Sequence, residues 1–193
     1  MTSAADLRHG TDDVGACLFP TAIGRVGIAW SRSGVRAVQL PERTDSATVA
    51  RLRRSAPGAV IADPPASVSP VIRRITAVLE GQRDDLADVE LDWAGVGDFE
   101  RRVYELARRV PPGATTTYGE LARLTGAPGA ARAVGRAMGR NPFPIVVPCH
   151  RVLAAGGRPG GFSANGGVDT KRRMLIIEGA PGLGEPTLFD QPG

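Results

Sequence analysis

The chain has 193 residues, 42% of them hydrophobic, and a formal charge of +4; this excludes wholesale disorder and allows one ordinary domain or two small ones. Two cysteines, Cys17 and Cys149, exclude a disulfide framework and read as free thiols of a reducing cytoplasm. No apolar run reaches the roughly 18 residues of a membrane span, and the polar start from Met1 to Asp13 lacks a signal-peptide pattern, so no membrane partner is expected.

In chain order, residues 1–15 read as a loose tail. Val26, Ile28 and Trp30 then alternate with small residues, Ser33-Gly34 reads as a turn, and Val35 to Leu40 forms a second strand, which predicts a hairpin. A helix is expected over Ala47 to Arg54, stopped by Pro57 and Gly58. Another follows where Val68, Ile72, Ile75 and Leu79 recur at helical spacing before Gly81. Val89 to Trp93 reads as one more strand. Residues 16–94 are thus expected to form an α/β N-terminal domain, a small sheet with helices, carrying no evident chemistry. Cys17 sits at a strand entrance with no base beside it and reads as a small packed residue.

Residues 95–180 are more regular. Asp98 is placed to cap a helix whose apolar face is Phe99, Val103, Leu106 and Val110, and Pro111-Pro112-Gly113 stops it. Thr117 and Glu120 have the spacing of a capping box. The short helix they open carries Leu121 and Leu124 and ends at Thr125-Gly126. Pro128-Gly129 starts the next helix, which runs to about Met138 with Ala131, Val134 and Met138 as its buried stripe. Arg132 and Arg136, four apart, share the opposite face. Two short helices joined by a glycine-containing turn make a helix-turn-helix candidate in a mostly α C-terminal domain. The chain uses Arg almost to the exclusion of Lys. That bias fits phosphate binding and equally fits the codon usage of a high-GC genome, and the two arginines read alike as DNA contacts or as a solvated face. Residues 181–193 read as a second tail.

Chemistry concentrates between Asn141 and Val152. Ile145 to Val147 is a short apolar run between prolines, and it ends by presenting Cys149. Burial raises a thiol pKa, whereas a nucleophile must be a thiolate, so a base has to take the proton. His150 is adjacent, yet neighbours on an extended chain point to opposite sides. A water between thiol and imidazole, with a carboxylate behind the histidine, would resolve this.

Pro148-Cys149-His150-Arg151-Val152 resembles the active-site motif of the O6-alkylguanine-DNA alkyltransferases, the methylated-DNA–protein-cysteine methyltransferases. The similarity takes in Thr117-Tyr118-Gly119, Ala131-Arg132-Ala133-Val134-Gly135, Ala137-Met138, Asn141-Pro142, and Lys171 to Glu178. It covers about Phe99 to Gly179 and fades over Leu18 to Glu80. The resemblance implies direct-reversal DNA repair: irreversible transfer of an alkyl group from O6-alkylguanine in duplex DNA to Cys149. A monomer would do this in the cytoplasm with no metal or organic cofactor.

The same resemblance implies roles. Cys149 is the nucleophile, His150 the base acting through water, Glu178 the carboxylate that orients it, and Asn141 a brace for the surrounding turn. Tyr118 aids nucleotide rotation and hydrogen-bonds the guanine, and Arg132 fills the place of the extruded base. The carbonyls of Cys149 and Val152 accept from the guanine amino group, and Ser163 donates toward O6. Arg132, Arg136 and Arg151 form the expected DNA-binding set. The base has to leave the stack, because a buried sulfur cannot reach O6 inside a duplex. Two departures stand out: Phe162, expected to line the substrate pocket, occupies the place of a common tyrosine, and Ala164-Asn165 looks like an insertion in the same loop. Two other readings stay open on these residues: a lesion-binding or regulatory protein without repair, against which the presence of Cys149 argues, and a cysteine hydrolase, which needs an oxyanion hole.

Overall fold

The computed structural model describes residues 14–181, so the expected tails lie outside it apart from Val14, Gly15 and Pro181. Gly15 already belongs to a strand. Three antiparallel strands, β1 (Gly15–Thr21), β2 (Gly24–Ser31) and β3 (Gly34–Gln39), form a meander. A short parallel strand, β4 (Val60–Ile61), adds to the far side of β1, for a sheet order β3-β2-β1-β4. The expected hairpin is therefore β2–β3, and the strand expected to begin at Cys17 is β1, which starts two residues earlier and whose extent the sequence pattern does not give. Its sequence, GACLFPT, has weak alternation and contains Pro20, which conceals that extent. Cys17 lies inside β1, opposite Ile28, and is half-buried against the core.

The alternation along β2 explains how this sheet is covered. Val26, Ile28 and Trp30 point into the main core, while Ala29 and Gly27 face helix α1 (Asp45–Ser55). That face is paved with small residues, Ala16, Ala29 and Ala37, against Leu52 and Ala56 of α1. A Cβ on Gly27 would lie 3.2 Å from Leu52 Cδ2, so small side chains let the helix sit close. Thr44 caps α1 by accepting from the Ala47 amide at 3.2 Å. Helix α2 (Ser69–Leu79) packs on the opposite face through Ile75, Val78 and Leu79.

The segment expected as a strand over Val89 to Trp93 makes only a single bridge, Val35 to Leu91. The Val35 amide donates to Glu90 O at 2.9 Å and the Asp92 amide to Val35 O at 2.8 Å. Gly34, at φ +125°, makes this approach feasible, since a Cβ there would sit 2.5 Å from Glu90 O.

The second half carries α3 (Asp98–Ala107), β5 (Thr116–Thr117), α4 (Tyr118–Leu124), α5 (Ala131–Gly139), β6 (Val152–Leu153) and α6 (Gly167–Ile177). Gly97, not Asp98, is the cap of α3; Asp98 and Glu100 instead lie in its first turn, where acidic groups oppose the helix dipole. Thr117 Oγ1 accepts from the Glu120 amide at 3.1 Å, as its spacing predicts. The Glu120 carboxylate turns to Arg123 at 2.8 Å, so only half of the capping box forms. Helix α5 begins three residues after Pro128, because Pro128 to Ala130 form a separate turn closed by the Ala130 amide on Ala127 O at 2.8 Å. Val134, Ala137 and Met138 are its buried residues, whereas Ala131 is only half-buried.

Three connections position the site. The Val38 amide of β3 donates to Pro142 O at 2.8 Å, tying the sheet to the segment that leads to Cys149. β5 and β6 pair in parallel, Thr116 with Val152 and Thr117 with Leu153, which sets the start of α4 beside that segment. Buried Tyr104 of α3 donates to Ala137 O at 2.8 Å and locks α5. One contiguous core contains Phe19, Ile28 and Ile75 together with Val103, Val134, Phe143 and Met174, so the two halves share their interior. Among the described residues, no helix is long and apolar enough to cross a membrane.

Candidate active site

Residues 141–149 fold into overlapping turns. Asn141 braces them: its Nδ2 donates to Val147 O at 2.9 Å, and its Oδ1 accepts from the Phe143 amide at 2.9 Å. The Val147 amide donates to Phe143 O at 2.7 Å and the Cys149 amide to Val147 O at 2.8 Å. Phe143, Ile145, Val146 and Val147 are all buried, which anchors the turns from below. Cys149 and His150 do not lie on extended chain as expected; they occupy a 3-10 turn, Cys149–Arg151. Burial pushes the Cys149 thiol up, opposed by the Asn141 side chain, the Lys171 charge and backbone amides.

Behind the cysteine, His150 Nε2 is 2.9 Å from Glu178 Oε1. Burial alone would raise the Glu178 carboxyl, but hydrogen bonds from His150 and Arg151 outweigh it and hold the group down at about 2. An ionised carboxylate only accepts, so Nε2 is assigned the proton and Nδ1 the lone pair. His150 is 1% exposed, and its Nδ1 has no hydrogen-bond partner among the described residues. Burial also lowers the imidazole pKa, against the pull of Glu178, which keeps the ring neutral and able to take a proton.

Arg151 is placed differently from its expected role at DNA. It is 2% exposed; Nε and Nη2 grip Glu178 at 2.9 and 2.7 Å, and Nη1 donates to Val110 O at 2.6 Å. A guanidinium committed to a buried carboxylate and to the Val110 carbonyl, in the turn after α3, is not free to meet phosphate, which removes Arg151 from the DNA-facing set. Arg132 and Arg136 are both exposed on α5, as expected.

Lys171 was not singled out from the sequence. It is fully buried, donates through Nζ to Val152 O at 2.6 Å, and lies 5.8 Å from the Tyr118 ring centroid and 5.9 Å from that of Phe162. Both rings are within cation–π range. Burial lowers its pKa to about 8, against the pull of Cys149. A signal was present: Lys171 is the sole lysine among 24 Lys and Arg side chains. Val152 O, implied as an acceptor for guanine, therefore already has one lone pair occupied.

In front of the cysteine opens a cleft of about 500 Å³, lined by Met138, Asn141, Pro144, Cys149, Phe162 and Ser163 from the second half and by Val38, Leu40, Arg51 and Arg54 from the first. Phe162 is thus on the pocket wall, as expected. The Ser163 hydroxyl donates to Gly139 O at 3.0 Å, so its one proton is committed away from a substrate oxygen. Tyr118 and Arg132 do not line this cleft. Tyr118 packs against the loop, where a Cβ on Gly160 would come 3.2 Å from its ring, and Gly160 at φ +67° permits that approach. The contribution of β3 and α1 to the cleft wall was not foreseen, since that half looked free of chemistry.

These elements define a protein with one buried cysteine, a histidine–carboxylate pair behind it and an open cleft before it, next to a short helix bearing exposed arginines. Comparison with known proteins places it further. Residues 98–180 match the family described as 6-O-methylguanine DNA methyltransferase, DNA binding domain. The methylated-DNA–protein-cysteine methyltransferase of Mycobacterium bovis is 44% identical over 126 residues, 65% of this chain and 74% of that one. The crystal structure of the Mycobacterium tuberculosis O6-methylguanine methyltransferase has a TM-score of 0.70 at 36% identity, covering 88% of this chain and 96% of that one. A structure of Mycobacterium tuberculosis OGT in complex with DNA has a TM-score of 0.66 at 34% identity, over 88% of this chain and 96% of that one. The chain belongs to the methylated-DNA–protein-cysteine methyltransferase family.

Proposed function

We propose that this protein repairs duplex DNA by moving the alkyl group of O6-alkylguanine irreversibly onto Cys149. The observation that carries the reading is the arrangement around the sulfur: a cleft in front, and behind it a neutral histidine held by Glu178 at 2.9 Å with its other nitrogen unpartnered. In this reading a water passes the Cys149 proton to His150 Nδ1, and the Nε2 bond to Glu178 steadies the imidazolium that forms. The thiolate attacks the alkyl carbon; an S–C bond forms as the C–O6 bond breaks. The electron pair returns to O6, and the guanine, still part of the DNA, regains a proton at N1, so that the proton taken from the thiol by His150 is balanced on the restored base.

Helices α4 and α5 serve as a helix-turn-helix, with residues 95–180 as the DNA-binding and catalytic domain and residues 16–94 as an α/β domain that walls the cleft. Exposed Arg132 fills the stack after the nucleotide turns out, Arg136 meets phosphate, and Tyr118 guides the nucleotide. The leaving-group donor at position 163 is the backbone amide, the hydroxyl being committed to Gly139 O. All three residues of the relay come from one chain, which supports action as a monomer, and a required free thiol supports a reducing cytoplasm.

The test is intact-protein mass after incubation with O6-methylguanine duplex. One methyl per chain, on Cys149 and absent from Cys149→Ser, is the expected result. Many substrate turnovers per chain point to a hydrolase, and binding without any mass change points to a lesion sensor; either defeats the reading.

A further inference from the structure

We infer that Arg51, on α1 of the N-terminal half, is a positioning residue that sets how far the cleft over Cys149 stands open, and thereby which O6 substituents it admits. This rests on the alkyl-transfer reading above. The wall of the cleft formed by Phe162, Ser163 and Ala164 belongs to a loop with Gly160, Gly161 and Gly166 beside them. Such a loop has much conformational freedom to lose, so its shape depends on tethers from outside. Two are in place. The Ser163 hydroxyl donates to Gly139 O at 3.0 Å, and the Ser163 carbonyl accepts from Arg51 Nη2 at 2.5 Å.

The second tether crosses 112 positions of sequence, from α1 to the pocket loop. Its other end is anchored as well. Arg51 Nη1 is 3.1 Å from Glu42 Oε1, and the Glu42 amide donates to the buried hydroxyl of Thr48 at 3.0 Å. Thr48 Oγ1 in turn donates to Thr44 O, the cap of the same helix, at 3.1 Å. The planar fork of arginine suits this bridge, one arm on a carboxylate and the other on a carbonyl. Side-chain exposures of 36% for Arg51 and 16% for Glu42 mark a partly solvated pair that contributes little to global stability. Its effect is local: it holds Ser163, and with it the neighbouring Phe162 ring, at a fixed distance from the sulfur across the cleft.

Single-turnover transfer by the full chain and by Arg51→Ala tests this, with O6-methylguanine and O6-benzylguanine carried in the same duplex as substrates. Loosening the wall should slow methyl transfer at saturating duplex by about tenfold, since small misplacements near a reacting centre have large rate effects. Duplex affinity and the melting temperature should be unchanged, and the benzyl-to-methyl rate ratio should rise by about the same factor. Glu42→Gln, which weakens only the anchor, should move the ratio in the same direction by less, and Arg51→Lys should fall between Ala and the native residue. A ratio unchanged in Arg51→Ala, or rates on both substrates falling together with the melting temperature, overturns the inference alone. Absence of any adduct on Cys149 in the unsubstituted protein overturns the functional reading and this inference with it.

Discussion

Ile145 sits four residues before the cysteine with φ at +77°, yet only 2% of it is exposed. A β-branched residue in that region is strained by about 1–3 kcal/mol, and burying its side chain returns about 1.5–3 kcal/mol, so the turn holds because the core holds it. Arg151 is a second residue whose role is set by burial. The pair it forms with Glu178 is 2% and 5% exposed, and removing one partner of such a pair typically costs about 3–5 kcal/mol. Arg151→Met is expected to destabilise the fold by that amount in denaturant titration, leaving Glu178 charged and under-paired. The Lys171 charge opposes the burial that raises the Cys149 thiol pKa, which in the proposed reaction would favour the thiolate. Lys171→Met should slow methyl transfer by about tenfold near neutral pH, equivalent to about 1.4 kcal/mol. Because burial brings the lysine pKa down to about 8, the native protein loses this advantage above that pH. The two rate profiles should therefore converge on the alkaline side; parallel profiles would assign Lys171 to the fold through Val152 alone.

At the scale of elements, helix α5 shows division of labour between its faces. Val134, Ala137 and Met138 bury against α3 and α4, and small residues fill the remaining positions, so Arg132 and Arg136 stand clear of neighbouring side chains. A helix this narrow can approach a groove closely. Turning a nucleotide out of the stack requires a few kcal/mol of unstacking, and a side chain that fills the gap supplies part of it. Arg132→Ala should slow repair of O6-methylguanine duplex by about tenfold while leaving the reaction with free O6-benzylguanine near the native rate. Equal losses on both substrates would tie Arg132 to the pocket. Helix α1 contributes Arg51, Arg54 and Ser55 to the cleft wall. Its buried face grips the alanine-paved side of the sheet through Leu52, and that grip carries Arg51 to the pocket loop.

For the whole molecule, Glu178 is where distant parts meet. It joins His150 of the nucleophile turn, Arg151 bridging to the end of the α3 segment at Val110, and the Gly113 amide at 3.4 Å. Its carboxyl is held at about 2 against an ordinary 4.5. A depressed folded-state pKa adds stability that is complete above the unfolded value and is lost as pH falls through the folded one. Melting temperature is accordingly expected to drop as pH is lowered from about 4.5 toward 2. Glu178→Gln should melt lower at neutral pH and show a flatter dependence over that acid window; an unchanged acid slope would assign the loss to other carboxylates, with Asp84, lowered by Arg74, the next candidate.

Short-range signals in the sequence determined the local pieces: the β2 alternation, the Thr117 cap, the stops at Gly81 and Gly126, and the opposed faces of α5. The run from Pro148 to Val152, with Asn141 and Glu178, was legible through its resemblance to the family motif, and the structure brings Asn141 onto the turn before Cys149 and Glu178 onto His150. Tertiary structure decided what depends on distance in space. Arg151 and Arg132 are alike in sequence as arginines beside apolar residues, and only burial separates a structural cation from an exposed one. Lys171 and Glu178 lie one on α6 and the other at its end, and it is packing that brings them to the two sides of the 149–151 turn. Arg51 reaches Ser163 because the sheet docks on the Pro142 carbonyl through β3. Local pattern records which face of an element is apolar; which charged groups from separate elements share a dry site follows from how those faces meet.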